Sequence, residues 1–139
     1  MFLNLEDYVV VSAEALKVVE QCKPENRERA EKMAIEEISG YIRERYDLTK
    51  IFSAVGEERN AMIVMYACDI TLYHLISSAP GRGGHEIRKE RYERAIQWLE
   101  GVQKGNIMPG LSTLTGENGE DDVNNPIRYG TGIKNNYDW

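Results

Sequence analysis

The chain has 139 residues, 42% of them hydrophobic and 29% charged, which suits one folded domain and excludes both a second catalytic domain and wholesale disorder. A balance of 17 Lys and Arg against 23 Asp and Glu gives a formal charge of -6, so polyphosphates are repelled at long range and sequence-specific nucleic-acid binding is not expected. Cys22 and Cys68 lack C-x-x-C spacing and read as reduced thiols in a cytosolic compartment, although counting alone does not exclude one bridge between them.

The first residues, Met1 to Asp7, carry neither a basic region nor a continuous apolar run of signal-peptide length. No span approaches the roughly 20 apolar residues that cross a bilayer, so neither secretion nor membrane insertion is expected. Tyr8-Val9-Val10-Val11 is β-favouring and reads as a short extended piece packed on the body, though one such run does not make a sheet. Ser12 then suits the N-cap of a helix begun by Ala13-Glu14-Ala15-Leu16, because its oxygen can accept a backbone N–H left without a partner in the first turn.

A second helix is predicted from Pro24, which the first turn tolerates, to about Tyr46. Ala30, Ala34, Ile38, Ile42 and Arg45 recur near the helical period, with Ile35 and Tyr41 beside them, while Glu28, Glu36, Arg43 and Glu44 occupy the far side. After a connection from about Tyr46 to Glu57, a third helix is predicted from Asn60 to Ser77. Asp69 is its one formally charged residue, and since the helix is shorter than a membrane span, the centre of a core or a subunit interface explains it better. Burying Asp69 requires a cationic partner, for which Arg45 and Arg91 are the candidates.

Ala79-Pro80-Gly81-Arg82-Gly83-Gly84 stops that helix. A fourth follows from His85 to Gly101 or Lys104, with Tyr92, Ala95, Leu99 and Val102 as its inward stripe, Ile87 at one edge, and Arg91 and Trp98 on the same side. Glu86, Lys89, Glu90, Glu93, Arg94 and Glu100 face outward. From Gly105 the texture changes: Gly and Asn punctuate the chain, and only Arg128 and Lys134 are basic. Ile107, Met108, Leu111, Leu114, Ile127, Tyr129, Ile133, Tyr137 and Trp139 nevertheless recur there, as anchors of an arm that orders on a partner would. The expected organisation is an all-α, compact bundle of about four helices over residues 1–104, followed by an assembly arm or flexible tail over 105–139.

Chemistry is not in evidence. His74 and His85 stand outside any H-E-x-x-H or comparable metal spacing, and Cys68 has no histidine placed to activate it. The glycines at 81–84 lack the Lys and Ser or Thr of a phosphate loop, and the acidic run from Glu117 to Asp122 lacks the ligand pattern of an EF-hand. No catalytic residue, cofactor or metal site is expected.

Three segments carry a resemblance. Ile38-Ser39-Gly40-Tyr41-Ile42-Arg43-Glu44-Arg45-Tyr46-Asp47-Leu48, Ala67-Cys68-Asp69-Ile70-Thr71-Leu72-Tyr73-His74-Leu75, and Arg91-Tyr92-Glu93-Arg94-Ala95-Ile96-Gln97-Trp98-Leu99-Glu100-Gly101-Val102-Gln103-Lys104-Gly105 together resemble the head-tail adaptor, or connector, proteins of Mu-like phages and prophages, a family formerly of unknown function. The likeness covers roughly residues 8 to 105. It departs at Thr49, where relatives often carry proline, and in the longer tail after Gly105. The resemblance implies a structural virion protein without catalysis, forming a homo-oligomeric ring, dodecameric by analogy, between the portal and the stopper or tail proteins. It implies residence in the host cytoplasm during assembly and then at the head-tail junction. Arg45, Tyr46, Asp69, Arg91, Tyr92 and Trp98 match recurrent family positions and are assigned to packing or protomer contacts, with Tyr129 and Trp139 as arm anchors. A small helical scaffolding or regulatory protein-binding module is the other reading.

Overall fold

A computed structural model describes residues 2–77 and 85–114. It contains α1 (Leu5–Val11), α2 (Ala13–Gln21), α3 (Pro24–Ile42), α4 (Leu48–Ser53), a 3-10 turn (Gly56–Glu58), α5 (Ala61–Ser77) and α6 (His85–Lys104). The fold is an all-α bundle. Among the described residues the sole β-type pairing is an isolated antiparallel bridge between Tyr46 and Thr113.

The four predicted helices are present, and two short ones join them. Tyr8–Val11 is helical and not extended, which corrects the expectation from its β-branched residues. The reason lies at the helix start: Asn4 N–H donates to Asp7 Oδ2 at 2.7 Å, and Glu6 and Asp7 place negative charge in the first turn, where the helix dipole favours it. Tyr8 is fully buried, so tertiary packing adds to the cap and overrides local propensity. Ser12 caps α2 as expected, its Oγ accepting from Ala15 N–H at 3.0 Å.

The third segment, α3, ends at Ile42, short of the expected Tyr46. Here the backbone turns outward to pair with a later stretch: Asp47 N–H donates to the Ser112 carbonyl at 2.9 Å, and Leu114 N–H to the Arg45 carbonyl at 3.1 Å. Asp47 then caps α4 through Lys50 N–H at 3.2 Å, a helix inside what the sequence suggested was a plain connection. Asn60 starts α5 by accepting from Met62 and Ile63 N–H groups at 3.0 and 3.1 Å.

The centre of the bundle is α5, which packs on α3, α6, α1 and α2. Ile63, Ala67, Cys68, Ile70 and Leu72 are completely buried, as its nearly uncharged circumference requires. Ala34 and Ile38 of α3 and Ala95, Leu99 and Val102 of α6 meet it with no exposed surface. No helix among the described residues is long and apolar enough to cross a membrane.

At the end of α6, Gly105 adopts φ +86°. Its N–H donates to the Val102 carbonyl and that of Asn106 to the Gly101 carbonyl, closing the helix in a Schellman turn that requires the left-handed residue. Ile107 and Leu111 then pack on the core, so residues 106–114 lie as a strap along the bundle before the described chain ends.

Candidate assembly surface

Asp69 is 2% exposed and receives a fork from Arg91, whose Nε donates to Oδ1 at 2.7 Å and Nη2 to Oδ2 at 3.2 Å. Of the two cationic partners the sequence offered, Arg91 is the one that binds it. Burial pushes the Asp69 carboxyl up and the guanidinium pulls it back, while the hydrogen bond to Asp69 holds Arg91 above its ordinary value. Arg88, also buried, adds positive charge beside Asp69, and its Nη1 has no hydrogen-bond partner among the described residues. Arg88 escaped the sequence reading although it stands one heptad before Ala95, on the inward stripe of α6.

Arg45 reaches the opposite end of α6, where Nη1 donates to the Val102 carbonyl at 3.3 Å, one of the carbonyls that the helix end exposes. Tyr46 is buried and holds the bridge to Thr113. Trp98 lies on Tyr66, with ring centroids 5.0 Å apart. Tyr92 stacks on Tyr73 at 4.1 Å and 16° and donates to Glu37 Oε2 at 3.0 Å. Glu37 Oε1 also lies 2.5 Å from His74 Nε2. Burial and the neighbouring carboxylate push the Tyr92 hydroxyl up to about 12. Tyr129, Trp139, the 81–84 glycines and the acidic run at 117–122 lie outside the described residues.

Two polar contacts, one buried and one part-buried, were missed in the sequence. Tyr8 donates its hydroxyl to Glu31 Oε2 at 2.6 Å, and burial pushes both groups up, the tyrosine far beyond its usual range. Glu31 sits one heptad before Ile38, a carboxylate on the apolar stripe, and that position was the available signal. Arg59 clasps α1 to the 3-10 turn: it donates to Asp7 at 2.6 and 3.0 Å and to the Phe2 carbonyl at 2.8 Å. Burial opposes the Asp7 carboxylate, but the Arg59 hydrogen bond and the Asn4 N–H outweigh it and hold the pKa below the ordinary value. No sequence periodicity links residues so far apart.

The cysteines are free. Cys68 is enclosed, and burial raises its thiol far out of the reactive range. Among the described residues no group of three or more His, Cys, Asp or Glu is arranged to hold a metal ion.

A cleft of about 570 Å³ lies between α1, the 3-10 turn and the start of α5. Val10, Val11, Val64 and Met65 give it an apolar wall, Glu6 and Glu57 stand at its margin, and Arg59 and Arg91 contribute from their ion pairs. Val10 is 86% exposed, with Val9 and Leu5 also in solvent. A helix whose inner face is sealed by Tyr8 thus also carries apolar side chains outward. The arrangement offers shape and apolar area and no paired acid and base around a reacting centre.

The sequence model of the family described as Bacteriophage Mu, Gp36 matches residues 10–125. Neither the curated proteins nor the solved structures provide a match.

Proposed function

Since this chain belongs to the Bacteriophage Mu, Gp36 family of phage head-tail adaptors, we propose that it works as a ring of identical copies seated on the portal, around the channel through which DNA passes. The family match, which runs from within α1 past the last described residue, is the observation that carries this reading. Members of the family are structural connectors, so the role is one of joining portal and tail components. The outward apolar side chains of α1 support a lateral contact between copies, because a monomer has no use for Val10 in water.

In this reading the bundle over residues 1–104, with the strap to Leu114 docked on it, is the ring body, and the rest of residues 105–139 forms the arm toward neighbours or axial partners. The finished protein resides at the head-tail junction of the virion, after assembly in the host cytoplasm. DNA is threaded and not read: the net charge of -6 suits a passage to which a polyanion does not adhere. Candidate contacts at Arg45, Tyr46, Tyr92 and Trp98 act by fixing helix positions from beneath.

Electron microscopy of the protein mixed with its cognate portal tests the proposal. The expected result is a ring coaxial with the portal. Absence of any complex under conditions where the portal itself is intact would reject it.

A further inference from the structure

The α1–α5 cleft and the distal tail carry complementary features. Its apolar wall is flanked by Glu6 and Glu57, both exposed and without an ion pair among the described residues, whereas Arg59 and Arg91 are committed to Asp7 and Asp69. Both basic residues after Leu114, Arg128 and Lys134, fall within residues 123–137, a stretch with no Asp or Glu. Ile127, Tyr129, Ile133 and Tyr137 share odd positions there, and the two basic residues take even ones. An extended peptide with that alternation offers its apolar side to the wall and its charges to the carboxylates.

The direction of the strap argues for exchange between copies. Ser112 pairs with Asp47 and Leu114 with Arg45, so the chain runs antiparallel to 45–47. It passes beside Glu58 and Asn60, near the cleft margin, at Gly110–Ser112, and then travels away toward the end of α3. From Leu114 to Ile127 an extended chain reaches roughly 40 Å, more than the roughly 30 Å width of a small domain.

We infer that residues 127–137 of one copy occupy the α1–α5 cleft of a neighbouring copy, locking the ring by arm exchange. The inference rests on the ring reading above and supplies its lateral contact. The bond is an apolar peptide in a cleft, with Arg128 and Lys134 directed at Glu6 and Glu57.

Full-length protein carrying Val10→Cys and Ile133→Cys, with Cys22→Ser to remove the partly exposed native thiol, tests this after mild oxidation, alone and on the portal. A ladder of covalent multimers on non-reducing gels is expected, while each variant with one introduced cysteine goes no further than a dimer, because the remaining Cys68 is buried. Rings on the portal without a ladder would overturn arm exchange and leave the adaptor reading standing, as would a bridge formed within single chains. A ladder without portal binding would support the exchange and count against the adaptor reading. As a second measurement, a fluorescent peptide of residues 123–137 should bind the full chain at low salt. Val10→Glu, at a solvent-facing position, should weaken that binding at least tenfold with the fold intact, and equal binding would overturn the assignment of the cleft.

Discussion

Asp69 shows how a single charge is kept inside an apolar helix. Removing it strands Arg91 and the already under-partnered Arg88 against the face of α5. Asp69→Ala should therefore cost about 3 kcal/mol, the loss associated with breaking one side of a buried pair, read as a lower urea midpoint with the slope unchanged. Tyr8 gives a prediction at the other end of the pH scale. Its folded pKa is raised, so its contribution is complete below the ordinary tyrosine value of about 10 and disappears as pH rises toward the folded one. Alkaline titration should destabilise the protein from about pH 10 upward, with a smaller slope in Tyr8→Phe. Asp69 was legible because it interrupts an uncharged helix. The Tyr8–Glu31 contact was not, because its partners lie on separate helices and nothing local joins them.

At the scale of elements, two joints depend on backbone geometry and charge. Gly105 has φ +86°, and a Cβ there would stand 2.9 Å from Arg45 Nη1. Gly105→Ala should destabilise by about 1–2 kcal/mol and raise hydrogen exchange at Asn106 and Ile107, whose N–H groups the turn protects. The Arg59–Asp7 clasp responds to acid. Asp7 has a lowered folded pKa, so its stabilisation is present above the unfolded value of about 4 and is lost as pH falls through the folded value. Hydrogen exchange in α1 should rise over that window before exchange in α5 does, and Arg59→Gln should remove the difference. Periodicity revealed α3 and α6 in the sequence because each has a continuous stripe, while low charge marked α5 and the Ser12 cap marked α2. Periodicity missed α1 and α4, whose seven and six residues are too few for a stripe and owe their helicity to Asp7 and Asp47 at their starts.

For the whole molecule, the family match gives the connector role, and the ring proposed above rests further on the outward apolar side chains of α1. If the arm is exchanged, assembly should respond to Glu57→Lys, a solvent-exposed position outside α1: ring formation on the portal, followed by mass photometry, is expected to fall while the thermal midpoint of the free protein stays within about 2 °C. The sequence showed the spaced apolar residues after Gly105 but not the cleft, since Val10 and Val64 come to line one cleft only when α1 folds over α5. Nor did it disclose the strap, because Ile107 and Leu111 look the same in a string of letters whether they dock at home or abroad.

The bridge between Tyr46 and Thr113 fixes the heading with which the chain leaves the bundle. If arm exchange closes a ring, copies built this way point their arms in one rotational sense. Such a ring has a clockwise or anticlockwise weave, grows by adding each copy to the same side of the last, and closes only when the final arm meets the first cleft.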